Sequence, residues 1–367
     1  MPERHIIKYL TPGWFAVIMG TGGLANIIYQ WQDVFSVGHI LGMVLAALSH
    51  VLYFLILVPW IIRWIFFLEY AQRDLHHPVT SNFYVTMPIA TIIVGTNIYI
   101  IWGGYLGGPL TFMLTTFAWV IGIVGVFFCT FYITFRIIQD EVALKPETTN
   151  FSWIMAPIAN MATLLLGNIV LNMSLKYEPT WGMSILIANI VMLGIGSFLF
   201  IFISAVIFVR LAHHPLPPAE LTPSFGILLS AVGLSTIAII DTAKSAQNLG
   251  ILASIDLACL GAAIIWGFGI WVIGIIGMIF FYHVRRGGIP FSLGWWAFIF
   301  PLAAYTIASQ KISSIFHSPL TYWLSVFLTI FLIFLWLYVS FNTVVGVFNG
   351  KLFMGSPISK PSKNRFS

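Results

Sequence analysis

The chain has 367 residues, of which 59% are hydrophobic and only 7% are charged. Because an average soluble domain carries about 25% charged residues, this composition excludes a water-soluble globular protein and indicates an integral membrane protein. The formal net charge of +5 reflects 16 Lys and Arg against 11 Asp and Glu. The basic residues lie mostly between apolar segments, so we assign them to a membrane surface and expect no nucleic-acid partner.

Five similar units of two apolar segments follow one another along the chain, which is the signature of a repeated supersecondary unit. Their leading aromatic residues are spaced by 69, 70, 72 and 71 residues: Trp14, Phe83, Trp153, Phe225 and Trp296. The two apolar segments of each unit together cover about 50 residues, enough for two membrane helices of about 20 residues each. We predict odd-numbered helices at 13–30, 81–101, 151–173, 223–241 and 294–313. We predict even-numbered helices at 38–66, 111–139, 182–211, 253–284 and 321–348.

The predicted fold is an all-α integral membrane protein with ten transmembrane helices. Five helical hairpins with quasi-five-fold symmetry would surround a central pore, because five copies around an axis leave a hole in the middle. A transmembrane barrel is not expected, since no alternating pattern supports strands and lipid excludes open sheet edges. We expect one domain over residues 1–350 and a basic tail over 351–367.

The basic residues predict the orientation in the membrane. Thirteen of the 16 lie before the odd-numbered helices, in the matching turns or in the tail: Arg4, Lys8, Arg63, Arg73, Arg136, Lys145, Arg210, Arg285, Arg286, Lys351, Lys360, Lys363 and Arg365. Because cytoplasmic loops carry an excess of Lys and Arg, we expect a multi-pass protein of the plasma membrane with both termini in the cytoplasm.

The odd-numbered helices carry more small and hydroxyl-bearing residues than the even-numbered ones. Such polar groups are disfavoured against lipid, so they belong at helix contacts or in a watery lumen. We predict these pore-lining polar residues: Thr21, Asn26, Thr96, Asn160, Thr163, Ser235, Thr236 and Thr306. Packing between helices is the alternative explanation of the same residues.

Three odd-numbered helices carry a proline at a similar depth, namely Pro88, Pro157 and Pro301, and the other two carry Gly20 and Gly233 near that level. Proline inside a helix removes a backbone hydrogen bond and bends the axis. We therefore predict a narrow waist at this level, although bends also occur in helices that line no pore.

The segments TPGWFAVIMGTGGLANI (11–27) and LGWWAFIFPLAAYTIAS (293–309) resemble the first and ninth helices of the tellurite-resistance/dicarboxylate transporter family. That family includes bacterial tellurite-resistance proteins, yeast malate and sulfite carriers and plant slow anion channels. The resemblance spans about residues 11–350. It implies five hairpins around a pore, inner odd-numbered helices, outer even-numbered helices and often a homotrimer. In the channel members a phenylalanine before the ninth-helix proline plugs the pore, and the matching residue is Phe300.

The repeats themselves also distinguish Phe300. The residues before the three prolines are Met87, Ala156 and Phe300, so only the last unit places a ring there. A ring in a narrow apolar neck blocks hydrated ions by bulk and by dewetting. The alternative is that Phe300, one of 32 phenylalanines, simply packs in the protein interior.

Charge placement favours anions. No Lys, Arg, Asp or Glu lies within 14–30, 83–101, 153–173, 225–240 or 296–310, so proton coupling has little support.

Lys176, Lys244 and Lys311 end three odd-numbered helices and form the predicted anion vestibule; anchoring at the membrane interface is the alternative. Asp241 and Lys244 are spaced to pair with each other. A dicarboxylate would need a free cation near the path, which Lys244 or Lys311 would supply.

The predicted function is transport of a small anion across the lipid bilayer, with C4-dicarboxylates such as malate first. The alternative is a channel for chloride, nitrate, sulfite or tellurite. A more remote alternative is a membrane haem or quinone oxidoreductase that uses the pairs His76-His77 and His213-His214, and another is a non-conducting sensor. We expect no enzyme activity, no metal site and no cofactor.

Overall fold

The computed structural model describes residues 6–139, 149–350 and 352, and this part of the chain is almost entirely helical. Its α-helices are α1 (Phe15–Gln30), α2 (Val37–Phe66), α3 (Leu68–His76), α4 (Thr86–Asn97), α5 (Gly103–Leu106), α6 (Gly108–Gln139), α7 (Met155–Tyr177), α8 (Gly182–His213), α9 (Gly226–Asn248), α10 (Asp256–Val284), α11 (Trp296–Phe316) and α12 (Pro319–Phe348). A π-helical turn, Ile98–Trp102, joins α4 to α5. Apart from Leu352, the predicted tail lies outside the described residues.

Inner and outer helices differ in burial. In the stretch Phe151–Tyr177, which contains α7, 89% of the most apolar 18-residue segment is buried inside the protein. In Pro179–His213, which contains α8, the corresponding share is 17%. The same contrast separates the inner helices α1, α4, α7, α9 and α11 from the outer helices α2, α6, α8, α10 and α12. The outer helices bury a stripe and expose large apolar side chains on the opposite side, as expected of helices that face lipid on one side.

The inner helices form a closed ring. Each contacts the next in chain order, and α11 contacts α1. Each outer helix packs on the inner helix that precedes it in the chain. Several hydrogen bonds between neighbouring inner helices join residues 70 to 76 positions apart. This separation is close to the length of the repeated unit, so the bonds join corresponding levels of successive units.

Short 3-10 helical segments, here called the leading segments, precede the inner helices: Pro12–Trp14, Thr80–Val85, Phe151–Ile154, Ala219–Phe225 and Leu293–Trp295. These segments also contact one another in a closed ring. All five inner helices therefore begin at the same end of the bundle. The aromatic residues that mark the repeat lie in these segments or, for Trp296, at the start of α11.

We call this end the basic face, since the last turns of α2, α6 and α8 place Arg63, Arg136 and Arg210 there. The opposite end is called the distal face.

Eight helical stretches among the described residues are long and apolar enough to cross a membrane: Val37–Phe66, Thr80–Leu106, Gly108–Gln139, Phe151–Tyr177, Pro179–His213, Ala219–Asn248, Asp256–Val284 and Pro319–Phe348. Ten were predicted. The difference lies in the stretches that contain α1, which carries Asn26 and Gln30, and α11, which carries Gln310 and Lys311. Both helices are enclosed by others, so neither needs a fully apolar surface.

The three prolines do not occupy equivalent helical positions. Pro88 and Pro157 are the third residues of α4 and α7, directly after a leading segment, whereas Pro301 lies inside α11. The leading segments Thr80–Val85 and Phe151–Ile154 run directly into α4 and α7, so Pro88 and Pro157 also follow helical backbone. The bend expected at each of the three prolines therefore stays a prediction.

Gly20 and Gly233 allow α1 and α9 to approach α11 closely from its two sides. A Cβ atom at Gly233 would lie 2.6 Å from the carbonyl carbon of Ala304, and one at Gly20 would lie 2.8 Å from the Ile299 side chain. Close packing of the helices thus explains both glycines. Through these contacts α1 and α9 pack on either side of the α11 segment that contains Phe300.

We expect Gly233→Ala to destabilise the protein by about 1–3 kcal/mol, because the new methyl group meets the α11 backbone, which cannot rotate away. Thermal unfolding in detergent would measure the loss. Gly274→Ala on α10 is the matched control, since a Cβ atom there meets nothing within 4 Å. Equal stability of the two variants would contradict the close approach of α9 and α11.

A buried ion pair ties α3 to the basic face. Arg63 is 1% exposed; its Nη2 donates to Asp74 Oδ2 at 2.6 Å and to the Tyr70 carbonyl at 3.1 Å. Its Nε donates to the Lys8 carbonyl. Burial raises the pKa of Asp74, and the charge of Arg63 opposes that rise. Arg63 was expected among the surface cations, but here it is a structural cation inside the protein.

Candidate functional site: the central cavity

A cavity of about 220 Å³ lies inside the ring of inner helices, and every inner helix contributes to its wall. The lining residues are Gly23, Asn26, Gln30, Ile93, Thr96, Tyr99, Ile100, Leu165, Ile169, Leu234, Ile237, Asp241, Phe300, Ala303, Ala304, Ile307 and Lys311. On each helix they recur three or four positions apart, which is the spacing of one helical face. One face of each inner helix thus forms the wall.

The two ends of the cavity differ in chemistry. Phe300 lies at the end toward the basic face and is 5% exposed. Lys311 lies on the same stripe of α11, three turns further along, and at 1.5 Å per residue this corresponds to about 16 Å. Between them the wall is mainly apolar, with Ala303, Ala304 and Ile307 on α11. The cavity therefore extends from an aromatic ring to a charged end at the distal face.

The charged end is an ion pair between neighbouring helices. Lys311 Nζ of α11 donates to Asp241 Oδ1 of α9 at 2.7 Å, and the side chains are 30% and 24% exposed. The predicted pairing of Asp241 with Lys244 is wrong, because Asp241 faces α11. The uncharged stretches 225–240 and 296–310 end directly before or close to this pair, and α9 and α11 continue beyond it to Asn248 and Phe316.

Two of the eight predicted polar lining residues, Asn26 and Thr96, lie in the cavity wall. Asn26 Oδ1 accepts a hydrogen bond from Asn97 Nδ2 at 3.2 Å, which links α1 to α4. The Thr96 hydroxyl donates to the carbonyl of Ile92 one turn earlier. Both side chains are nearly enclosed by protein and contribute polarity to an otherwise apolar wall.

The other six predicted residues are buried outside the cavity lining. Their hydrogen bonds explain their polarity: Thr21 with Trp336, Asn160 with Thr130, Ser235 with Met161, and Thr163, Thr236 and Thr306 with carbonyls of their own helices. Residue type alone did not indicate which helical face each would occupy. Their lining role remains a prediction without a contact that favours it.

The three predicted vestibule lysines have different surroundings. Lys311 lines the cavity. Lys244 is exposed and lies outside the lining, and Lys176 is exposed with its Nζ 5.3 Å from the centroid of the Tyr177 ring. Among the described lining residues, Lys311 is the single Lys or Arg, so the cavity has one cation and that cation already has a partner.

Sequence reasoning missed Gln30, Tyr99 and Asp241 as lining residues. A usable signal was present for Asp241, because it precedes Lys311 by 70 residues and the two occupy equivalent positions in consecutive units. Equivalent positions on neighbouring helices lie at the same depth and on the same face. The stripe through Phe300 at intervals of three or four residues also leads to Lys311.

The histidine pair at the end of α3 has a local structural role. His77 Nδ1 accepts the backbone N–H of Thr80 at 3.2 Å, and His76 Nδ1 lies 2.7 Å from the carbonyl oxygen of Gln72. Burial lowers the pKa of His77, which favours the neutral ring that can accept a hydrogen bond. Both contacts are local to the end of α3 and the turn that follows it.

The apolar outer surface, the ring of enclosed helices and the cavity inside the ring define an integral membrane protein of the transporter and channel class. Comparison with known protein families agrees with that class. The family model described as "SLAC1: Voltage-dependent anion channel" matches residues 9–344. The chain belongs to this family of anion transporters and channels, which confirms the resemblance found in the sequence.

Similar proteins occur in archaea and fungi. An uncharacterized transporter of Methanocaldococcus jannaschii is 29% identical over 359 residues, covering 96% of this chain and 98% of the relative. A sulfite efflux pump of Arthroderma benhamiae is 27% identical, covering 92% and 91%. A malic acid transport protein of Schizosaccharomyces pombe is 22% identical, covering 87% and 74%. All three are related to this chain over most of its length.

Proposed function

We propose that this protein moves small anions across the plasma membrane through the centre of the inner ring. The observation that carries the proposal is a cavity walled by all five inner helices, in a chain of an anion-channel family. A path at the centre of a helical ring is shielded from lipid. Polar groups can line such a path without the cost of facing hydrocarbon.

The architecture that we propose has ten membrane spans in five hairpins, arranged with quasi-five-fold symmetry in one domain over residues 1–350. The closed rings of inner helices and of leading segments support it. The cytoplasmic side is the basic face, because that end carries Arg136 and Arg210 in the last turns of α6 and α8, Arg73 in α3, and Arg285 and Arg286 directly after α10. Assembly as a homotrimer is implied by the family resemblance alone.

Phe300 is proposed as the gate of the path. Its ring lies at the basic-face end of the cavity, is almost fully enclosed and belongs to the helix that Gly20 and Gly233 hold from two sides. A ring in an apolar neck excludes hydrated ions by size and by dewetting. Pro301 removes one backbone bond directly after it, so α11 can adjust near the ring.

The proposed substrates are small anions with oxygen acceptors, with C4-dicarboxylates such as malate first and sulfite as the second candidate. The name of the fungal malic acid relative supports the first candidate, and the names of the sulfite efflux relatives support the second. Lys311 offers the charge that either anion requires. Asn26, Gln30, Thr96 and Tyr99 supply neutral polar groups along the wall.

A substrate panel in proteoliposomes tests this function. We expect malate, succinate or sulfite efflux to exceed that of protein-free liposomes, and chloride and nitrate measured in parallel rank the alternatives. The same panel with Phe300→Ala covers the case in which the ring keeps the resting path closed. If neither protein carries any of these anions faster than empty liposomes, the proposed function is wrong.

A further inference from the structure

The charged end of the cavity already contains an anion, namely the carboxylate of Asp241. Its oxygen lies 2.7 Å from Lys311 Nζ, at the distance of a direct charge-assisted hydrogen bond. Among the described lining residues no other Lys or Arg is available. An external anion that binds this cation must therefore replace the Asp241 oxygen or share the lysine with it.

The environment of the pair allows such an exchange. Both side chains retain partial exposure, 30% for Lys311 and 24% for Asp241, so water screens their attraction and the pair is weaker than a buried one. The backbone beside Asp241 is held in place, because Thr242 bonds to Asn168 and Ser245 to Asn172 on α7. Release of Lys311 then requires only rotation of the Asp241 side chain.

We propose that Asp241 is a tethered competitor at the Lys311 anion site and sets how tightly the protein holds the transported anion. The inference rests on the proposed function. The resting cavity has no net charge from this pair, so an arriving anion gains Lys311 only by displacing the Asp241 oxygen or by sharing the ammonium group with it. Binding is therefore weak, and weak binding allows the anion to leave quickly in either direction.

The same ion pair also affects how strongly the path attracts anions. With both residues present, the pair contributes no net charge to the path. Without the Asp241 charge, the single positive charge of Lys311 would attract anions and hold them longer. Without the Lys311 charge, the remaining carboxylate would repel anions from a path whose other lining residues carry no cation. The two single substitutions therefore have opposite expected effects, which general damage to the fold would not produce.

The test compares full-length wild type, Asp241→Asn, Lys311→Gln and the double variant. The concentration dependence of malate and sulfite flux is measured in proteoliposomes, and equilibrium binding of the same anions is measured by calorimetry in detergent. For Asp241→Asn we expect the half-saturating concentration to fall about fivefold, the scale of a solvent-screened ion pair. For Lys311→Gln we expect it to rise by at least a similar factor. Asp256→Asn, an exposed carboxylate outside the cavity lining and bonded to Ser254, should match wild type.

Transport by wild type with unchanged or weaker anion binding in Asp241→Asn overturns the competitor role and leaves the proposed function intact. Absence of flux in both wild type and Phe300→Ala overturns the proposed function instead. If Asp241→Asn does not fold, the exchanged pair Asp241→Lys/Lys311→Asp decides the question. The exchanged pair keeps one cation and one competitor, so it should bind anions as wild type does; binding as weak as that of Lys311→Gln overturns the inference.

Discussion

Phe300→Ala is expected to raise anion flux in reconstituted liposomes by on the order of tenfold or more, because it removes the ring from an apolar neck that water wets poorly. The ring lines the cavity at its basic-face end and is 5% exposed. An alanine side chain leaves space there for a hydrated ion. Phe300→Leu should give an intermediate flux, since it keeps part of the bulk.

Phe298→Ala is the matched control for this prediction. It removes the same ring from the same helix, but Phe298 packs against Phe280 of α10, with ring centroids 5.5 Å apart, and does not line the cavity. We expect this variant to be less stable, with flux close to that of wild type. Equal flux through Phe300→Ala and wild type, with both proteins folded, would exclude Phe300 as the gate.

Asp74→Ala is expected to cost about 3 kcal/mol of stability, because it leaves the buried guanidinium of Arg63 without a counter-ion. The side chains of Arg63 and Asp74 are only 2% and 18% exposed, so water screens the pair weakly. Arginine cannot lose its proton in a protein, so the charge cannot be relieved by titration. Thermal or denaturant unfolding in detergent would measure the loss.

The double variant Arg63→Met/Asp74→Ala should be more stable than Asp74→Ala alone, because it removes the unpaired charge together with its partner. Glu69→Ala on the same helix is the control, since Glu69 is exposed and its removal should have little effect. A double variant that is less stable than the single variant would mean that the bonds from Arg63 to the Lys8 and Tyr70 carbonyls matter more than its charge.

The helices were predictable because lipid restricts the chain more strongly than water does. Apolar length and the aromatic repeat placed most inner and outer helices within a few residues of their observed bounds, although α9 runs to Asn248 rather than to residue 241 and α3 was missed. The LEYAQRDLH segment of α3 is short and polar, and it is held by Arg63 rather than by its own apolar face. The pattern of apolar residues along the chain predicts helices that face lipid or a hydrophobic core, and α3 has little contact with lipid or with a core.

The lining of the cavity was predicted only in part. Asn26, Thr96, Lys311 and Phe300 were selected and lie there, whereas Thr21, Asn160 and Ser235 use their polar atoms at contacts with neighbouring helices. A hydroxyl or amide in a membrane helix satisfies the same energetic demand at either place. Residue type therefore cannot distinguish a side chain that lines the lumen from one that lies at a contact between helices. Helical spacing from one known lining residue can make that distinction.

The sequence by itself determined that the chain is an apolar, five-unit helical membrane protein, and which residues mark the start of each unit. These features follow from length, hydropathy and the repeat, each of which can be read along the chain without knowing which residues are in contact. Only the tertiary structure decided that Asp241 pairs with Lys311 rather than with Lys244. The physical reason is that the partner of a charged side chain depends on which neighbouring helix that side chain faces. The rotation of each inner helix about its own axis decides this, and contacts such as that of Gly233 with Ala304 set the rotation.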